Sequence, residues 1–274
     1  MIRQVFSKHL VTGLCALSLL TAFAAQGLCA GNATGRPARA AKTQLEAEYA
    51  GKTPKEWGEA VTGVKTRLAT KDKVVALTLD ACGGPKGSEI DAELVRFLEQ
   101  EKIPATLFIN ARWIDANPEL FLELARNPLF TIANHGFLHK PASVSGKSVY
   151  GISGTKDVGE LVDEIELNAR KIEKLTGERP VYYRSGTAYY DEIAVEIAER
   201  LGHQVIGFSV LGDAGATYSA EQVTAALLTS TPGSIVILHM NHPESSTGKG
   251  VMAAVPELRR RGFRFVRLPD YPLE

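Results

Sequence analysis

The sequence predicts an α/β protein, a (β/α) barrel of about seven parallel strands. Three observations carry that prediction. Apolar extended runs and helix-period segments alternate about seven times through the later two-thirds of the chain. The segment between successive runs is generally long enough for a right-handed crossover, so the strands lie parallel and the helices cover them. Polar or charged residues follow most of the runs instead of gathering at one switch point, which favours a barrel over an open doubly wound sheet.

In chain order, residues 1–30 have the pattern of a secretory signal peptide. Arg3 and Lys8 give a positive start, 10–25 is apolar, and Ala24, Gly27 and Ala30 are the small residues near a cleavage site. An uncleaved anchor is the lesser reading, because the run is near the short limit for a membrane span. Gln26-Gly27-Leu28 before Cys29 makes a poor lipidation signal. The mature chain is therefore expected to be exported, periplasmic or secreted, with no stable membrane insertion after cleavage. Two of the three cysteines, Cys15 and Cys29, leave with the leader, so Cys82 has no disulfide partner and stability rests on the core. At 45% hydrophobic and 23% charged, the composition is that of an ordinary globular protein. Acids and bases balance at 31 each with no basic stripe, which argues against nucleic acid as a partner.

Residues 31–70 read as a linker with short helices laid outside the main domain, and 71–274 as the barrel. Extended runs are expected at 74–79, 106–109, 130–133, 181–183, 204–208, 234–238 and 264–266. A helix over 88–101 opens at Ser88 and Asp91 and repeats Ile90, Leu94, Phe97 and Leu98 on one face. A second is expected at 118–126. The helix over 157–175 aligns Val158, Leu161, Val162, Ile165, Ala169 and Ile172 and stops at Gly177. That over 191–201 stops at Gly202, and 219–228 and 251–261 complete the set. The patternless loop 141–155 has the length of a functional or mobile segment.

Candidate site residues lie where the strands end. The run 74–79 delivers Asp80, followed by Ala81, Cys82, Gly83 and Gly84. A carboxylate at the mouth of a buried strand loses hydration and needs a partner or a task, unless it only caps the next turn. His135 and His139 follow the third run at a spacing that would place both imidazoles on one face of a helical turn, close enough to hold one metal ion. The plain alternative is one surface and one core histidine. Arg184, Asp213 and His239 follow later runs, with His242 three residues on. Singly, each has a structural explanation; together they place acid, base and metal ligands on one rim.

The order Thr78-Leu79-Asp80, Asn134-His135-x3-His139-x-Pro141, Arg184, Asp213 and Leu238-His239 resembles the polysaccharide deacetylases with a NodB-type domain, carbohydrate esterase family 4. The similarity runs over 71–269 and includes the tail motif Val255-Pro256-Glu257-Leu258-x3-Gly262-Phe263-Arg264-Phe265-Val266. It implies hydrolysis of N-acetyl groups on an amino-sugar polymer such as peptidoglycan or a chitin-like glycan, with a divalent metal, Zn²⁺ or a similar ion. By position, Asp80 matches the catalytic base, Arg184 the arginine that orients it, His239 the general acid and Asp213 its orienting carboxylate. His135 and His139 match the metal-binding histidines. Two departures stand out. Where the family has two consecutive acids this chain has Asp80-Ala81, and Arg184 is followed by Ser185-Gly186-Thr187-Ala188-Tyr189 instead of a proline-containing run. The expected metal set is Asp80, His135 and His139; a Cys82 thiolate or a metal-poor, inactive site are the other fillings of the gap. The competing functions are hydrolysis of another non-peptide C–N bond and non-catalytic glycan binding.

Overall fold

The computed structural model describes residues 35–274; the leader expected over 1–30 lies outside the described residues. Eight parallel strands are formed: β1 (Val74–Ala81), β2 (Ala105–Ile109), β3 (Phe130–Asn134), β4 (Tyr182–Tyr183), β5 (Gln204–Val205), β6 (Val210–Leu211), β7 (Ser234–His239) and β8 (Arg264–Val266). They follow the order β5-β4-β3-β2-β1-β7-β6, with β8 paired to the start of β1, in one curled sheet. The expected barrel is confirmed, and it closes imperfectly.

The pleat of β1 positions the site. All eight of its residues are buried. Val75, Leu77, Leu79 and Ala81 join the outer core with Leu94, Leu98, Trp113, Leu238 and Leu258. Val74 and Ala76 face the other way and pack with Phe108, Ala133, Ile206 and Ile235 inside the barrel. With a side-chain period of 2, Thr78 and Asp80 continue that inner face toward the C-terminal mouth. The inside of β1 is thus apolar at the bottom and polar at the top.

Among the described residues eight α-helices surround the sheet: α1 (Gly35–Glu48), α2 (Ala92–Gln100), α3 (Ala111–Ala116), α4 (Pro118–Arg126), α5 (Val158–Thr176), α6 (Glu192–Arg200), α7 (Ala220–Leu227) and α8 (Thr247–Arg260). Their starts follow sequence signals. Asp91, Asp157, Asp191 and Ser219 each accept an amide of the first turn, and Pro118 opens α4. Ser88, read as part of a cap, instead donates its hydroxyl to Gly84 O. Gly177 ends α5 in the left-handed region at φ 81°. The six-residue α3 is too short to show a period, and Asn110 caps it from the end of β2. Among the described residues no helix is long and apolar enough to cross a membrane.

Two differences from the sequence reading have one cause. The run 204–208 shortens to β5 at 204–205, with β6 a separate strand beyond it, and the segment after α1 does not stay outside. Residue Lys65 bridges to Ile206 in parallel and Arg67 to Ser234 in antiparallel fashion. Lys65 N–H donates to Val205 O at 2.8 Å, Gly207 N–H returns to Lys65 O at 2.9 Å, and Leu68 N–H donates to Gly233 O at 2.8 Å. A Cβ on Gly207 would meet Val64 Cγ1 at 2.8 Å, so glycine admits this segment to the seam. The segment is itself bound to 272–274 through Ala69 N–H to Pro272 O and Thr66 N–H to Glu274 O, both 2.8 Å.

His203, at the foot of β5, is buried under Tyr183 with ring centroids 6.3 Å apart. Burial, reinforced by the Arg179 charge, pushes its pKa down to about 4 from the ordinary 6.5. The unfolded chain therefore takes up this proton first as pH falls, and stability drops between those two values by about 3 kcal/mol at 1.36 kcal/mol per pH unit. Denaturant titrations from pH 7 to pH 4 should show this loss, and His203→Phe should flatten that part of the curve.

Candidate active site

The centre of the site is a buried ion pair. Arg184 follows β4 and is 0% exposed. Its Nη1 donates to Asp80 Oδ1 at 2.8 Å and to Thr78 Oγ1 at 2.9 Å. Nε donates to Ile206 O at 3.1 Å and Nη2 to Gly207 O at 2.9 Å, while the guanidinium lies 4.2 Å over the Phe108 ring. Asp80 is its carboxylate partner, and the carbonyls of the bent 206–207 stretch satisfy the remaining N–H groups. Asp80 Oδ2 stays free of that pair and lies 3.7 Å from His135 Nε2.

The two histidines come from a loop after β3, and not from a helical turn. Gly136 has φ 75° and His139 has φ 64°, a left-handed value that a histidine adopts only under constraint. The constraint is Glu164 of α5, buried beneath the loop. Its carboxylate accepts Leu138 N–H at 2.8 Å and Lys140 N–H at 3.1 Å, on both sides of His139. Burial raises the Glu164 pKa despite these bonds. A Cβ on Gly136 would collide with this carboxylate, and one on Gly186 with the His139 backbone. Asn110 Nδ2 donates to the carbonyls of His135 and Gly136 at 2.9 and 2.7 Å. His135 Nδ1 can only donate to Arg184 O, 3.0 Å away, so its Nε2 presents a lone pair to the site.

On the opposite wall, Asp213 follows β6 and is fully buried. It accepts His239 N–H at 2.7 Å, His239 Nδ1–H at 2.9 Å and the Thr247 hydroxyl at 3.0 Å. Burial works against a charged His239, but the Asp213 carboxylate outweighs it by charge and hydrogen bond and lifts the imidazole well above its usual range. The side chain of His239 is 15% exposed, with Nε2 left for the cleft. His242 turns away to Glu244 at 2.9 Å and is not part of this arrangement.

The compact donor set differs in one member from the one expected. Ligand atoms of Cys82, His135 and His139 all lie within 4.8 Å of one another; the Asp80 oxygens do not complete such a group. Cys82 Sγ is 3.8 Å from His135 Nε2, and His139 Nε2 is buried with no hydrogen-bond partner. Burial would raise the Cys82 thiol, but the charge of His139 and the contact with His135 bring it well below its normal value. One sulfur and two nitrogens around an unpaired imidazole suit a divalent transition metal, so the residues present fit such an ion.

These groups open on a cavity of about 430 Å³ lined by Asp80, His139, His239, Glu59, Tyr150 and Phe208, among others. The structure thus gathers all six site residues read from the sequence: Asp80, His135, His139, Arg184, Asp213 and His239. Glu164, Asn110 and Thr247 escaped that reading. The available signal for Glu164 was a carboxylate next to Ile165 on the apolar face of α5.

A curled parallel sheet thus gathers carboxylates, imidazoles, a guanidinium and a thiol at its C-terminal mouth. The family model described as polysaccharide deacetylase matches residues 67–206, and the chain belongs to that family, hydrolases of N-acetyl amide bonds. Solved structures agree in fold. A peptidoglycan N-acetylglucosamine deacetylase is 23% identical, with a TM-score of 0.63 over 76% of this chain and 91% of its own. PdaA of Bacillus subtilis, a family 4 carbohydrate esterase, is 20% identical with a TM-score of 0.62 over 84% and 87%. A family 4 pseudoenzyme from Bacillus anthracis is 20% identical with a TM-score of 0.60 over 75% and 67%. Among curated proteins none matches the chain.

Because Glu164 holds both amides beside His139, Glu164→Ala should weaken divalent-ion affinity roughly 10–100-fold. Competition with a chromogenic chelator measures this. Glu164→Gln, whose amide oxygen still accepts, should lose less.

Proposed function

We propose that the protein is an exported, divalent-metal-dependent deacetylase of N-acetylated amino-sugar polymers such as peptidoglycan or a chitin-like glycan. The observation that carries this is the facing of two prepared proton carriers across one cleft: Asp80 on its buried arginine and His239 on its buried aspartate. Export through 1–30, and the division into that leader, the segment 31–70 and the barrel 71–274, are part of the same reading.

His135 and His139 would hold the ion, with a third donor from the end of β1. When bound, the ion supplies Lewis-acid polarisation of an acetamide carbonyl and a more acidic water. Asp80 Oδ2, free of the Arg184 pair, accepts a proton from the attacking water. Arg184 fixes the carboxylate and balances its charge. His239, with Nδ1 tied to Asp213, directs its other nitrogen to the cleft and protonates the departing amine. Acetate and a free amino sugar are the products. A surface that only bound glycan would have no use for a base and an acid each held by a buried counter-ion, which disfavours a purely binding role.

Acetate release from N-acetylated oligosaccharides, with and without chelator, tests this. Wild type should release acetate in a chelator-sensitive way. Asp80→Asn, which keeps the oxygen that Arg184 binds, and His239→Asn should each reduce turnover about 10²–10⁴-fold with unchanged circular dichroism. Tight glycan binding without acetate would instead establish the non-catalytic role. Metal analysis should find about one ion per chain, lost in His135→Ala and His139→Ala. A wild type that holds none under saturating zinc would end the metalloenzyme reading.

A further inference from the structure

The pleat that carries Asp80 inward does the same for the residue two positions on. Ala81, where the family's second acid is expected, packs into the outer core at 0% exposure and faces away from the cleft. Cys82 has the same parity as Asp80 and reaches the space between the two histidines. Its backbone is fixed there. Arg112 Nη2 donates to Cys82 O at 3.1 Å, and Gly83 N–H donates to Gly87 O at 2.8 Å. Gly83 turns at φ 68° against α3, where an added Cβ would meet Trp113 N at 2.5 Å. The turn after β1 is therefore shaped by glycine at position 83, directly after Cys82.

From this geometry we infer that Cys82 is the third protein ligand of the metal, giving a thiolate–imidazole–imidazole centre of Cys82, His135 and His139 in place of a carboxylate–imidazole–imidazole one. The inference rests on the metal-dependent reading above and names the donor which that reading leaves open. Tetrahedral coordination with metal–sulfur and metal–nitrogen bonds of normal length puts ligand atoms about 3.5 Å apart. Cys82 Sγ and His135 Nε2 are at 3.8 Å, and the three-atom set spans 4.8 Å at most, so small side-chain rotations bring all three to an ion. His139 Nε2 is the buried atom with no other partner, and His135 Nε2 is the lone pair left by the bond to Arg184 O. Asp80 has its own commitment. Its Oδ1 belongs to Arg184, and its oxygens lie outside the compact set that Cys82, His135 and His139 form.

Two consequences follow from the chemistry of the donors. A thiolate with two imidazoles selects zinc-like ions over magnesium or calcium. Asp80 is also spared from serving as ligand and base together.

Cobalt(II) titration of the purified protein tests the assignment without reference to turnover. Wild type should gain a near-ultraviolet thiolate-to-cobalt charge-transfer band that saturates at one equivalent. Cys82→Ser should lose the band and bind cobalt at least tenfold more weakly. Cobalt bound at one equivalent with no such band in the wild type, or a band that survives Cys82→Ser, would overturn the cysteine assignment and leave the deacetylase reading standing. No cobalt or zinc bound at all would remove the metal reading and this inference with it. A Cys82→Ser protein that fails to fold leaves the wild-type spectrum to decide.

Discussion

The Arg184–Asp80 ion pair is the constraint on which the barrel depends. Each charge removed from water carries a penalty of several kcal/mol, and only mutual attraction with full hydrogen bonding offsets it. Here one guanidinium draws together β1 through Thr78 and Asp80, β4 through its own backbone, and the 206–207 bend through two carbonyls. The pair therefore ties opposite walls of the barrel across its interior, where strand pairing does not. It also orients the site. Arg184 O receives His135 Nδ1–H, so the residue that balances Asp80 sets the tautomer of His135 as well.

Much of this was legible in the sequence, because the relevant signals are local. Strand–helix alternation gave the barrel, and Asp157, Asp191 and Ser219 marked helix starts that the structure places one residue away, while the helix expected from Ser88 begins at Ala92. Polar residues after apolar runs located Asp80, His135, Arg184, Asp213 and His239. What was hidden depends on distant partners. Residues 64–68, which have no strand period themselves, bridge to Ile206 where the run 204–208 was expected to continue as one strand. The His135–His139 spacing looks helical, yet Gly136 and the bonds from Glu164, far along the chain, hold it as a loop.

The missing second acid shows how a departure from a family pattern should be weighed. Counted along the chain, Ala81 is a lost ligand. Counted along the pleat, position 81 belongs to the hydrophobic layer and position 82 to the cleft. Strand parity decides which neighbour of Asp80 can face the same cleft, and in this chain that neighbour is Cys82. His139, strained at φ 64°, is the other half of the same arrangement, since its unpaired Nε2 faces that sulfur.

The seam filled by residues 64–69 has a consequence for how the molecule is made. Those residues pair on one side with the middle of the chain, at Ile206, and on another with 272–274. Contacts of such sequence separation are slow to form, since loop-closure entropy is spent before any contact rewards it. The seam cannot be sealed until the residues that follow β8 have emerged from the ribosome. Until then the inner apolar layer around Ile206 and Ile235 has an open side.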